Sequence, residues 1–280
     1  MKKMNVALFS KKTLAVAVLA AQKSGALLMS SYGKLKDSQI HAKSKNDFVT
    51  ELDRQSEKLV ISTIKKSFPD HSIQAEESGT SHGDGTWWII DPLDGTANYI
   101  HHFPLFSVSI GVVHRGSLIA GVVFDPVHKE LFTAEKGKGA FLNGKKIRVS
   151  KTPSLSTAFM ATGIPFRARG RFEEYLRSFG NISLGSAGLR RGGSAALDLA
   201  YVACGRFDGF WEINLSPWDI AAGALLIQEA GGAISDMWGR QDHLKNGDVL
   251  ASNGRIHAEL LDIASKTFTP KPEDTHAHSA

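Results

Sequence analysis

The segment Trp87-Trp88-Ile89-Ile90-Asp91-Pro92-Leu93-Asp94-Gly95-Thr96 decides how the rest of the chain is read. Its first four residues form a bulky apolar run of strand type, which delivers Asp91 to a strand end. Pro92 forces a turn and removes a backbone donor. Asp94 follows three residues after Asp91, so a tight turn aims both carboxylates at one point. Gly95 and Thr96 then offer backbone N–H groups suited to an anion at a helix start. Two carboxylates about 4 Å apart repel by about 4 kcal/mol at an effective dielectric of roughly 20. Either they share protons or a cation neutralises them. An oxygen-only donor set, with no His or Cys in the motif, points to a hard ion such as Mg²⁺. The competing reading of this motif alone is an acidic surface turn.

Two more acidic positions lie outward from it. Glu76-Glu77 follows a short strand, Ser72 to Ala75, and precedes Ser78-Gly79. Pro217-Trp218-Asp219 places an acid at the start of a small-residue helix, Ile220-Ala221-Ala222-Gly223. Alone, Asp219 reads more simply as a helix cap. All three acids, each at the end of an element, make a composite metal site the better account.

The surrounding pattern divides the chain in two. Residues 10–32 read as an amphipathic helix with Ser10 as its cap and Leu14, Val18, Ala21, Gly25 and Leu28 on one face. A second helix covers 51–67, with Leu52, Leu59, Ile61 and Ile64 as buried positions, and Pro69-Asp70 ends it. Ser78 to Thr86 is a Gly-rich loop. Phe106 to Val113, Leu118 to Phe124 and Glu130 to Glu135 read as antiparallel strands. Asn143-Gly144 marks a hairpin between Phe141-Leu142 and Ile147 to Val149. From 155 onward strands and helices alternate: helix Ala195 to Cys204, strand Arg206 to Trp211, helix Asp219 to Ala230, strand Ala233 to Asp236 and helix Ile256 to Thr267. The expected unit is residues 1–268, as two packed subdomains of about 1–150 and 151–268, with 269–280 as a frayed tail. A cleft is expected between the halves.

Composition narrows the function. The chain has 280 residues, 42% hydrophobic and 22% charged, which excludes disordered and collagen-like classes. Lys plus Arg is 33 and Asp plus Glu is 28, a net charge of +5 that suits an anionic small molecule and permits a nucleic-acid partner. Cys204 is the only cysteine, so neither an intrachain disulfide nor a Cys-based zinc site is available. No apolar run reads as long enough to span a membrane. Lys2, Lys3 and the run Leu14 to Ala21 have some signal-peptide character, but the helical spacing continues past it, and a cytoplasmic location is expected. His101-His102 lacks zinc spacing and reads as surface. Gly137-Lys138-Gly139 lacks the strand-to-helix setting of a nucleotide loop and reads as a hairpin turn. Six arginines (Arg167, Arg169, Arg171, Arg177, Arg190 and Arg191) face only Glu173 and Glu174 between 160 and 191. They read as a solvated face and active-site rim, or as a docking surface for a polyanion or protein.

These residues carry a family resemblance. The chain resembles the inositol monophosphatase family, its bacterial members above all. The signatures are Asp47-Phe48-Val49-Thr50-x-x-Asp53, Glu76-Glu77-Ser78, Trp88 to Thr96 and Trp218-Asp219-x-Ala221-Ala222-Gly223. Lesser matches are Lys136 to Phe141 and Arg190 to Ala196. They run in family order over about residues 10–265.

The resemblance implies an α/β (α+β) fold, an αβαβα layered sandwich of the sugar-phosphatase superfamily, antiparallel-rich first and alternating second. It implies a phosphomonoesterase that uses two to three Mg²⁺ ions and metal-activated water, with myo-inositol 1-phosphate as substrate and wider activity on esters such as glycerol 2-phosphate. Glu76, Asp91, the Leu93 carbonyl, Asp94 and Asp219 would hold the ions. Thr96 paired with Asp53, together with Glu76, would activate the water. Gly95 and Thr96 would bind phosphate oxygens. The alcohol would meet Gly193, Ser194, Ala195, Glu212 and Arg190, and Lys43 would help close the site. Lithium inhibition and a homodimer are also implied. Two alternatives stand beside this: another substrate (fructose 1,6-bisphosphate, a 3′-phosphoadenosine nucleotide or histidinol phosphate), or an additional role binding RNA polymerase and antitermination factors in ribosomal RNA transcription.

Overall fold

The computed structural model describes residues 6–44, 47–165 and 168–270, without the side chains at 6–8, 37, 42–44, 47–48 and 169. Arg167, the Lys43 and Arg169 side chains, and the tail expectation from 271 onward fall outside the described residues.

The chain begins with helix α1 (Val6–Ser31), strands β1 (Ile40–Ser44) and β2 (Asp47–Thr50), and helix α2 (Glu51–Ser67). Strands β3 (Ser72–Ala75), β4 (Gly79–Ser81) and β5 (Thr86–Asp94) lead into the short helix α3 (Thr96–Ile100). Then come β6 (Ser107–His114), β7 (Ser117–Asp125), β8 (Glu130–Glu135), β9 (Gly139–Leu142) and β10 (Lys145–Lys146). The second half runs β11 (Phe159–Thr162), α4 (Phe172–Gly185), β12 (Gly188–Arg190), α5 (Ala195–Ala203) and β13 (Gly209–Glu212). It closes with α6 (Pro217–Ala230), β14 (Ala233–Ser235), α7 (His243–Asn246), β15 (Val249–Ser252) and α8 (His257–Thr267).

An eight-stranded sheet has the order β10-β9-β8-β7-β6-β5-β3-β4, and a five-stranded sheet the order β12-β11-β13-β15-β14. One core joins α1 and α2 to the first sheet through Ala17, Leu28, Val60, Ile90 and Val108. A second places α5 and α6 between the sheets. A third packs α4 and α8 against the far face of the second sheet. The order of layers is therefore α, β, α, β, α, as the resemblance implied.

Several local expectations change. Ser10 lies inside α1 rather than capping it, and its hydroxyl reaches back to the Ile119 carbonyl at 3.5 Å. By length and composition the stretch Phe9–Ser31 is apolar enough to cross a membrane, contrary to the sequence reading. In the fold, however, its Ala17, Ala20, Ala21 and Leu28 are fully buried against protein. Leu59 and Ile61 are only half-buried, and Val60 takes the central position on α2. The hairpin at Asn143-Gly144 forms with both residues at positive φ, but its second strand is Lys145–Lys146.

Pro92 does not end its strand either: β5 continues to Asp94 through an irregularity. Opposite it, Asp91 pairs with Ser109 and Asp94 with Ser107, so three steps on β5 face two on β6. Residues three apart on a regular strand point to opposite faces. One extra residue restores the parity and sends both carboxylates to the same face.

Candidate active site

Three placements bring the acids together. First, β3 is parallel to β5, with Ala75 opposite Ile90. The next residues along the two strands, Glu76 and Asp91, therefore emerge side by side at the same sheet end, where the Glu76 N–H donates to the Ile90 carbonyl at 3.3 Å. Second, the bulge aims Asp94 alongside Asp91. Third, α6 comes close to the sheet because glycines face it: a Cβ on Gly111 would lie 2.5 Å from the Ala221 Cβ, and one on Gly121 would lie 2.8 Å from the Ala222 carbonyl oxygen. The Ser109 hydroxyl donates to the Trp218 carbonyl at 3.0 Å and pins the start of α6. Asp219 then meets Asp91 and Asp94 with carboxylate oxygens all within 4.8 Å of one another, and all three residues are buried. The cap of α6 is Ser216 rather than Asp219, which closes the capping box from the third helical position by accepting from the Ser216 N–H at 2.7 Å.

The electrostatics match this convergence. Burial, and then the charges of Glu76, Asp94 and Asp219, raise the Asp91 carboxyl well above the usual carboxylate range. Burial pushes Asp94 up to about 6, against hydrogen bonds from Ser194 and Ala196 that favour its ionised form. An oxygen-only donor set at this spacing fits a hard divalent cation.

Around the acids lies a supporting frame. Asp53, fully buried, accepts from the Thr50 N–H at 2.8 Å and the Thr50 hydroxyl at 2.6 Å in the capping box of α2. Its other oxygen accepts from the Thr96 hydroxyl at 2.9 Å. Burial pushes Asp53 up to about 7. One helical turn on, Glu57 accepts from the Glu77 and Ser78 N–H groups, both at 2.8 Å, and so holds the turn that follows Glu76. Gly95 has φ +91, and a Cβ there would meet the Leu105 oxygen at 3.1 Å, so the turn into α3 needs glycine.

The facing wall belongs to the second half. Ser194 donates through its hydroxyl to Asp94, and the Ala196 N–H donates to the same oxygen at 2.9 Å. Asp94 therefore caps α5 from a hundred residues away, a link that no local motif announces. Asn98 bridges the halves, donating to the Leu105 carbonyl at 2.7 Å and the Gly192 carbonyl at 2.9 Å. The cleft between the walls encloses about 410 Å³ and is lined by Glu76, Asp91, Asp94, Thr96, Glu212 and Asp219 among others. Gly193, Ser194 and Ala195 line it too, as do Leu93 and Gly95.

Arg190 is placed elsewhere. Its guanidinium stacks 4.7 Å above the Phe159 ring and donates to its own strand, while Arg191 lines the cleft. Within the Arg-rich stretch, Arg171 pairs with Asp248 at 2.7 Å and Glu174 at 3.1 Å. Arg191 fits the active-site rim expected of the Arg-rich stretch, whereas sequence reasoning missed Asp198, Asn98 and Glu57. For Glu57 a signal existed, since it follows Asp53 by four residues and so shares its helix face.

Comparison with known proteins agrees with this geometry. The inositol monophosphatase family matches residues 10–267. The Nus factor SuhB of Pseudomonas aeruginosa is 45% identical over 263 residues, covering 92% of this chain and 97% of that protein. The inositol-1-monophosphatase of Mesorhizobium japonicum is 44% identical over 260 residues, covering 92% and 98%. Among solved structures, the extragenic suppressor protein SuhB from Bartonella henselae superimposes with a TM-score of 0.88 at 40% identity, covering 92% of this chain and all of that one. The chain belongs to the inositol monophosphatase family, a family of metal-dependent phosphatases. It is an enzyme, an inositol-phosphate phosphatase of the phosphoric monoester hydrolase class.

Proposed function

We propose that this chain hydrolyses myo-inositol 1-phosphate and related phosphate monoesters to the alcohol and inorganic phosphate, with two to three Mg²⁺ ions per site. The observation that carries this reading is the convergence of Asp91, Asp94 and Asp219 within 4.8 Å in a cleft that has room for a small ester. Glu76, Asp91 and the Leu93 carbonyl would hold one ion, and Asp91, Asp94 and Asp219 a second; a third would lean on Glu76. The chemistry such ions would supply there is neutralisation of phosphate charge, a lowered pKa for a water ligand and stabilisation of the departing alkoxide.

The chain's own groups do the rest. Asp53 accepts a hydrogen bond from the Thr96 hydroxyl, which leaves a Thr96 lone pair to accept from the attacking water. Glu76, at the cleft edge, orients the same water. The backbone N–H groups of Gly95 and Thr96 hold phosphate oxygens. Gly193, Ala195 and Glu212 hold the polyol, and Ser194 acts through Asp94. In-line displacement at phosphorus asks mainly for this positioning and for charge neutralisation. The working unit spans residues 1–268 as two packed subdomains, acts as a cytoplasmic homodimer and is inhibited by lithium.

The test is phosphate release from a panel of inositol, glycerol, fructose, nucleotide and histidinol phosphates, with and without Mg²⁺, in wild type and Asp94→Asn. Mg²⁺-dependent release that favours inositol 1-phosphate and is lost in the variant is the expected result. A preference for another ester overturns the substrate, and release without any divalent cation overturns the mechanism.

The Nus factor name of the Pseudomonas relative supports a second reading, an additional role in transcription complexes. Capture of RNA polymerase by Asp94→Asn, but not by a double Arg190→Ala, Arg191→Ala variant, would establish it.

A further inference from the structure

One acid in the cleft has no assignment in the reading above. Asp198, in the first turn of α5, is 1% exposed and lines the cleft. Its Oδ1 is buried and finds no hydrogen-bond donor among the described residues. A buried acceptor left without a donor destabilises a fold, so a carboxylate kept there needs a partner that the described residues do not supply. A structural role would look different. Asp125 and Asp208, buried away from the site, accept from the backbone N–H groups of Val127, His128 and Phe159. Gly192 packs directly against the carboxylate, since a Cβ there would lie 2.8 Å from Oδ1. The charged groups whose fields reach it are Glu212, Asp94 and Arg191, all of which line the same cleft.

We infer that Asp198 reads the leaving group: its carboxyl exchanges a hydrogen bond with a hydroxyl of the polyol and makes the enzyme prefer polyhydroxylated phosphate esters to hydroxyl-poor ones. This rests on the phosphatase reading above. A polyol hydroxyl both donates and accepts, so the contact forms whether the carboxyl is ionised or neutral. A site built to hydrogen-bond a substrate hydroxyl discriminates strongly against analogues that lack it.

The experiment compares kcat/KM for myo-inositol 1-phosphate with kcat/KM for 4-nitrophenyl phosphate, under Mg²⁺, in wild type, Asp198→Asn and Asp198→Ala. Thermal midpoints are measured on all three. The ratio of the two kcat/KM values is expected to fall about 10–100-fold in both variants, mainly through KM for the inositol ester. Their midpoints are expected to stay at or above that of wild type, because an unpartnered buried carboxyl has gone. An unchanged ratio overturns the inference, and so does a lowered midpoint with equal losses on both esters, or a chain that no longer folds with either substitution. Wild type that hydrolyses 4-nitrophenyl phosphate but not the inositol ester would overturn the substrate reading and this inference together. A substrate reading that holds while the ratio stays fixed would sink the inference alone.

Discussion

The two walls of the cleft hold buried acids in opposite ways. On the wall built by β5 and α6, Asp91, Asp94 and Asp219 stand within 4.8 Å of one another, so each raises the cost of ionising the next. On the facing wall Asp198 stands apart, with an oxygen that no group among the described residues satisfies. Burial is nearly the same on both walls, 2% exposed for Asp91 and 1% for Asp198. Burial alone therefore says little about role. What differs is the company: converging carboxylates call for a cation, whereas a solitary one in a cleft calls for a hydrogen-bonding ligand.

The sharpest way to break this contrast is Asp94→Asn. It weakens the cation site and removes a charge-assisted cap from α5. With metal stabilisation worth several kcal/mol, kcat is expected to fall about 10³-fold. A loss no larger than that in Asp198→Asn would erase the distinction between the walls. Next comes the frame behind the first wall. Asp53→Asn should lower kcat about 10²-fold, the low end of general-base effects, and Thr96→Ser should restore what Thr96→Ala loses, because the hydroxyl is what Asp53 holds. Measurement of kcat on the three variants checks both.

A packing variant sharpens the contrast by geometry. Gly111→Val would press on Ala221 and push α6 from the sheet, at a cost of about 1–3 kcal/mol. Asp219 would move with the helix, so Mg²⁺ activation should shift to higher concentration. Denaturant unfolding and Mg²⁺ titration of activity read out the two effects.

The smallest effect expected is in the pH dependence of stability without divalent cations. Asp53 and Asp94 titrate in the fold near about 7 and about 6, above their ordinary value of 3.8. The folded state therefore binds more protons than the unfolded state between these limits, and stability is lost as pH rises from about 4 through about 7. The thermal midpoint in chelator should be lower at pH 8 than at pH 5, and Mg²⁺ should raise it more at pH 8. A midpoint that climbs across this range in chelator would contradict the electrostatic account of the first wall.

Much of the first wall was legible in the chain. Asp91 and Asp94 lie in one run beside a strong strand signal, and the parallel pairing that sets Glu76 beside Asp91 follows short motifs at both strand ends. Helix α2 matched its expected range because the Thr50–Asp53 capping box marks its start and Pro69 follows its end. Helix α4 was hidden, since its buried positions Tyr175, Ser178 and Ile182 lie inside a stretch that draws the eye by its arginines. Arg190 and Arg191 could not be told apart: neighbours on one chain point to different sides, and only the packing of Phe159 decides which one is diverted.

By itself, the sequence determined the chemistry: which acids exist, that they end elements, and that no sulfur or imidazole ligand stands in the central motif. Those are properties of residue type and local spacing. The tertiary structure alone decided three things: that a one-residue bulge turns Asp91 and Asp94 to the same face, that Asp94 caps a helix about a hundred residues away, and that Asp198 lines the cleft with an oxygen that no donor among the described residues reaches. Each depends on what lies across a strand or between sheets, and such distances are set by packing, which spacing along the chain does not encode.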